Sequence, residues 1–88
     1  MYELQIEQGA ERDIKSLKKL PDEEFQRIVS KILTLRNIPR PVGIRKIVGS
    51  KNDWRLRIGE YRIIYEIDDR CQIVRIFRVK HRKEVYRR

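Results

Sequence analysis

The sequence predicts an α+β fold in the order β-α-α-β-β-β: a small, mainly antiparallel sheet with a helical hairpin on one face. Three observations predict it. Apolar residues recur with period two at the start of the chain and again through most of its second half. Between these stretches they recur with the 3.6-residue period of helices. Turn-forming residues separate the segments. The chain has 88 residues, which favours a single domain over 1–88 with one small core.

Residues 2–7, YELQIE, alternate Tyr2, Leu4 and Ile6 against Glu3, Gln5 and Glu7, the pattern of a strand with one buried face. After Gly9 the period changes. Ala10, Ile14 and Leu17 share one face of a helix that runs to about Lys19. Leu20-Pro21-Asp22 breaks it, with Asp22 as the expected N-cap of a second helix. Glu23 and Glu24 suit that helix's first turn, where the helix dipole favours anions. Phe25, Ile28, Val29, Ile32 and Leu35 form its apolar stripe, and Asn37 and Pro39 end it near Arg36. The two helices make an antiparallel hairpin.

Residues 38–52 are a connector with Pro39, Pro41, Gly43 and Gly49, in which Ile44–Val48 is a candidate short strand. Strands follow at about 54–58, 61–67 and 72–79. Gly59-Glu60 is a two-residue hairpin loop with glycine first, the arrangement of a type II′ turn. Asp68-Asp69-Arg70 makes the next turn. The ending KHRKEVYRR is basic and reads as irregular or as a short helical turn.

The charge is uneven. The formal net charge is +9. Residues 1–42 hold eight Lys/Arg against seven Asp/Glu, while residues 43–88 hold fourteen against six. Basic character concentrated in strand-like sequence points to a polyanionic partner, nucleic acid rather than a membrane surface, because no basic amphipathic helix carries it. The N-terminus has neither a basic n-region nor an apolar h-region, and no apolar run approaches membrane-spanning length, so a reducing cytoplasm is the expected location. The single cysteine, Cys71, has no partner for an internal disulfide.

The stretch DWRLRIGEYRIIYE carries the chemistry. With Gly59-Glu60 as its loop, Ile58 pairs with Tyr61, Arg57 with Arg62, Leu56 with Ile63 and Arg55 with Ile64. Like charges directly opposed on a sheet destabilise it by roughly 0.2–1 kcal/mol. Trp54, Leu56, Ile58, Ile63 and Tyr65 then face the helices, while Arg55, Arg57 and Arg62 share the other face. The simplest next register adds Arg75 and Phe77 beside Ile64 and Arg62. Arginine is suited to bidentate contact with phosphate, and aromatics such as Phe77 and Tyr86 can stack on bases. Lys80 and Arg87 extend the candidate RNA-binding set. For proton transfer there are two candidates: His81, the chain's only histidine, and Tyr86, beside Arg82, Arg87 and Arg88. Each is also readable as a packing residue of the chain's end. The sequence has no paired carboxylates, glycine-rich phosphate loop, nucleophilic triad or metal cluster, so metal-free and cofactor-free chemistry is expected.

The run WRLRIGEYRIIYEI followed by VKHRKEVYRR resembles the RelE/ParE superfamily of type II toxin–antitoxin toxins, in particular RelE-type messenger-RNA interferases. Its specific parts are the G-[DE]-Y-R hairpin and the H-R-x-x-V-Y ending; the N-terminal elements match in order and length. The resemblance implies the fold read above, cleavage of messenger RNA in the ribosomal A site by attack of a ribose 2′-OH on the adjacent phosphate, and a cognate antitoxin whose acidic or amphipathic segment covers the basic surface. It implies catalytic roles for Arg55, Arg57, Arg62, Arg82 and Tyr86. Arginine stands at 55 and 57 where the best-known RelE pattern has lysine, and this favours an electrostatic over a proton-transfer role. Two alternatives stay open: the ParE branch, which inhibits DNA gyrase without cutting, and a nucleic-acid-binding module without activity.

Overall fold

A computed structural model describes residues 1–85, the side chain of Val85 excepted. Its elements are β1 (Glu3–Ile6), α1 (Gln8–Ser16), a single 3₁₀ turn (Leu17–Lys19), α2 (Asp22–Thr34), β2 (Arg45–Lys46), β3 (Asp53–Ile58), β4 (Tyr61–Asp68), β5 (Ile73–His81) and α3 (Arg82–Val85). The five strands form one sheet in the order β1-β5-β4-β3-β2. All pairings are antiparallel except β1 with β5, which run parallel with Leu4 beside Val74 and Ile6 beside Ile76.

The helical hairpin covers one sheet face. Ala10 and Leu17 from the first helical segment, and Ile28, Ile32 and Leu35 from the second, join Leu56, Ile58, Ile63, Tyr65, Ile67, Val74, Ile76 and Val79 in one buried cluster. These are the 3.6-period positions of two helices and the period-two positions of three strands, Val79 excepted, which the bulge at Phe77 shifts by one residue, so both patterns point at the same interior. Asp22 is not a side-chain cap: it is the first helical residue, Pro21 holds the cap position, and no side-chain cap bond forms there. Proline fits because its fixed φ suits entry into the helix. Asp22, Glu23 and Glu24 all lie in the first turn, where they oppose the dipole's positive end.

The β3–β4 register is the one the hairpin sequence predicts, from Ile58 opposite Tyr61 to Arg55 opposite Ile64. Gly59 has φ +57 while Glu60 keeps a negative φ, as the type II′ turn requires. The β4–β5 register differs from the simple expectation. Arg75 lies opposite Glu66, not Ile64, and a bulge beside Ile64/Tyr65 leaves Phe77 without a direct partner. The reason is that the turn closes one residue further along in the chain, over residues 69–72, where Gln72 takes φ +59 and Asp68 accepts the Cys71 N–H at 3.0 Å. It shifts the pairing by two residues before the bulge.

β1 pairs with β5 only over Ile73–Ile76. Beyond it, Asp13 of α1 takes over the exposed edge of β5, accepting the Val79 N–H at 2.9 Å and gripping the Arg78 guanidinium at 2.9 and 3.2 Å. Burial opposes charge on Asp13, but the bonds from Arg78 and Val79 and the nearby Lys80 ammonium hold its carboxyl below the usual carboxylate range.

Candidate functional site

The face away from the helices is open, and its charges are segregated. Arg55, Arg57 and Arg62 alternate onto it from β3 and β4, as the hairpin pattern requires. β2 adds Arg45 directly opposite Arg55. Together with Val42 and Gly43 of the connector and Leu56 of β3, these four arginines line a cleft of about 660 Å³. No described carboxylate lines it. Further along the same face the balance reverses. Glu66 lies between Asp53 and Arg75 across the strands, and the Arg75 guanidinium is bonded to Glu66 and stands 3.8 Å from Asp68.

The four arginines differ in environment. Arg57 is exposed and Arg55 half-buried. Arg62 is only 8% exposed, and its Nη1 donates to the carbonyls of Gly59 and Tyr61, both at 3.0 Å. Arg62 therefore closes the hairpin loop as well as lining the cleft. The sequence reading, in which Arg57 and Arg62 merely repel, misses these bonds: the side chain folds back over its own turn. Arg45 was not among the sequence candidates. Its place opposite Arg55 depends on the return of the chain through residues 47–52, which no short motif encodes.

The remaining candidates are dispersed. Arg75 shares the arginine face but is paired there with Glu66. Phe77 is half-buried in the bulge. Lys80 lies opposite Arg62, yet its ammonium is 3.7 Å from both Asp13 and Glu84, which draws it toward the α1 edge. His81 is not on an irregular tail: it ends β5, opposite Tyr61, with the two rings edge to face at 5.3 Å. Pairing with Tyr61 puts His81 on the helix side, the face opposite Arg62. Its Nδ1 accepts the Lys83 N–H at 3.2 Å, which leaves Nε2 to carry the proton of the neutral ring. Burial, reinforced by Glu24 and Glu84, pushes the Tyr61 hydroxyl above its ordinary range. Arg82 docks α3 on the hairpin loop through Glu60, by its N–H to the backbone carbonyl at 2.7 Å and its Nε to the carboxylate at 2.9 Å. Tyr86 and Arg87 lie outside the described residues.

A cleft lined by four arginines and by no described carboxylate can hold a phosphate by charge-assisted hydrogen bonds and oppose charge that grows on it. The lining side chains cannot move protons, because arginine stays protonated. The cleft by itself is thus an anion-binding and charge-stabilising device.

Comparison with known proteins agrees with this architecture. The sequence profile of the ParE toxin of type II toxin–antitoxin systems matches residues 4–86. A protein of Methanocaldococcus jannaschii, provisionally named toxin RelE1, is 33% identical over 81 residues, covering 86% of this chain and 88% of its own. The archaeal RelE–RelB complex from Pyrococcus horikoshii contains a chain that superposes with a TM-score of 0.75 at 26% identity, covering 92% of this chain and 94% of that one. The RelBE2 toxin–antitoxin complex of Mycobacterium tuberculosis gives a TM-score of 0.73 at 29% identity, with 91% and 96% coverage.

Proposed function

We propose, for a chain that belongs to the RelE/ParE superfamily of type II toxin–antitoxin toxins, a function as a ribosome-dependent endoribonuclease that binds messenger RNA in the four-arginine cleft. The observation that carries the reading is the lining itself: Arg45, Arg55, Arg57 and Arg62 converge with no described carboxylate among them. In the proposed reaction the 2′-oxygen forms a bond to phosphorus and the bond to the 5′-oxygen breaks. The products are a 2′,3′-cyclic phosphate and a 5′-OH. A base takes the 2′-OH proton and an acid returns one to the 5′-oxygen. The arginines hold the phosphate and stabilise its extra negative charge in the transition state. His81 stands on the other face of the sheet from the cleft, so the proton carriers come from Tyr86 or from the ribosome, which also aligns the messenger. The partner that restrains the toxin is a cognate antitoxin.

A second reading is a toxin of the ParE branch that binds its target and cuts nothing. Two observations favour it: the matching profile is that of ParE, and none of the described residues lining the cleft can transfer a proton. One experiment separates the two. Purified protein is added to a reconstituted translation reaction and messenger 5′ ends are mapped, with DNA supercoiling by gyrase assayed in parallel. New 5′-OH ends on translated messenger, absent without ribosomes, support the nuclease. Intact messenger with inhibited supercoiling supports the second reading.

A further inference from the structure

We propose that Arg40, which does not line the cleft, is the positioning residue that holds the cleft's outer wall; the functional consequence rests on the RNA-binding reading above. The wall is the connector that carries Val42, Gly43 and Arg45. No regular structure supports the connector before β2, and Val42 itself is fully exposed. It needs an anchor, and Arg40 supplies one on two sides. Its Nη1 and Nη2 grip the Asp69 carboxylate at 3.1 and 2.7 Å, a bidentate pair reaching to the β4–β5 turn. Its guanidinium also lies over the Trp54 ring at 5.8 Å, on the β3 strand that carries Arg55 and Arg57.

Two further contacts stiffen the anchor. Tyr2 donates its hydroxyl to Asp69 at 2.6 Å, so Asp69 is held between the residue that precedes β1 and the connector. The buried Tyr65 hydroxyl donates to the Pro39 carbonyl at 2.8 Å, immediately before Arg40. Pro39 and Pro41 flank Arg40 and restrict its backbone. From Arg40, five residues of chain lead to Arg45, the one cleft arginine that β3 and β4 do not carry, and its two-residue strand pairs with β3 through Arg55 and Trp54, so a loosened anchor leaves that short pairing to hold it. Aligned charges bind a phosphate well only if they are already in place.

Asp69→Ala gives a test in which charge and position predict opposite signs. The substitution removes a negative charge, so electrostatics alone would tighten RNA binding. Loss of the anchor should instead weaken binding of a short single-stranded RNA by roughly 3–10-fold, and this loss should vanish when Arg45 is already Gln, because the two changes act on one element. Amide hydrogen exchange of the same variant should rise over residues 40–46 while β4 and β5 stay protected. Emission from Trp54, the chain's single tryptophan, should change as Arg40 leaves its ring. Unchanged exchange over 40–46 would overturn the proposal. So would RNA binding as tight as wild type, or tighter. If the wild type binds no RNA but exchange rises as stated, the anchor stands and the RNA reading falls.

Discussion

Arg57 and Arg62 face one another across the hairpin, and neutralising each should affect stability in opposite directions. Arg62→Met keeps the buried stem and deletes the charged head. It removes two hydrogen bonds from a charged donor to the Gly59 and Tyr61 carbonyls. Such bonds contribute about 1.5 kcal/mol each at the lower end of their range. Against that loss stands relief of repulsion with Arg57 and Lys80, its two cross-strand neighbours, at roughly 0.2–1 kcal/mol apiece. The net cost is therefore about 1–2.5 kcal/mol. For a domain of this size that lowers the melting temperature by roughly 4–20 °C. Arg57→Met, at an exposed position with the same repulsion relieved, should leave stability unchanged or raise it by up to ~1 kcal/mol. Both variants should weaken RNA binding, since each removes a cleft cation. Thermal unfolding by circular dichroism and RNA binding by anisotropy would be measured on the same samples. An Arg62→Met protein as stable as wild type would refute the dual role of Arg62. An Arg57→Met protein that loses as much stability as Arg62→Met would refute the distinction between them.

Other consequences are as direct. The Asp69 carboxyl, bonded first by Arg40 and then by Tyr2, is held down to about 2, so its contribution is complete above the unfolded value near ~3.9 and is lost as pH falls through about 2; a carboxyl titration midpoint near 4 by NMR would contradict the Arg40 anchor. Tyr65→Phe removes the bond to the Pro39 carbonyl and should cost about 1 kcal/mol in chemical denaturation. Gly59→Ala meets both a positive φ and the Arg27 Nη2 at 3.0 Å, and should cost about 1–2 kcal/mol by the same assay, whereas no loss would mean the turn is not type II′. RNA affinity should fall with a log–log salt slope of roughly −2 to −3, as expected when four cations neutralise phosphates on a single strand.

The hairpin was legible because its information is local. Gly59-Glu60 fixes the loop, the loop fixes the register, and alternation then places Arg55, Arg57 and Arg62 on one face. Everything that depends on pairing distant segments was less legible. Arg75 changed neighbours because the turn closes over 69–72, one residue further along in the chain than the simplest register places it. That shift turned a candidate phosphate ligand into the partner of Glu66. Arg45 joined the cleft through a strand of only two residues, too short to show a period. His81 went to the helix face because β5 continues two residues beyond its apolar pattern, and each residue of a strand reverses the face. The parallel pairing of β1 with β5 also has no local signal, since it joins the two ends of the chain.

The account rests on the claim that phosphate binds on the open face of β2, β3 and β4. Its most direct test is amide chemical-shift mapping during titration with a short single-stranded RNA at low salt. The structure predicts shifts concentrated at Gly43, Arg45, Arg55, Arg57 and Arg62, with little change at Glu66, Asp68 and Arg75 on the neutralised part of the same face. Shifts centred on α1 or at the Tyr61–His81 contact, with the four arginines still, would contradict it.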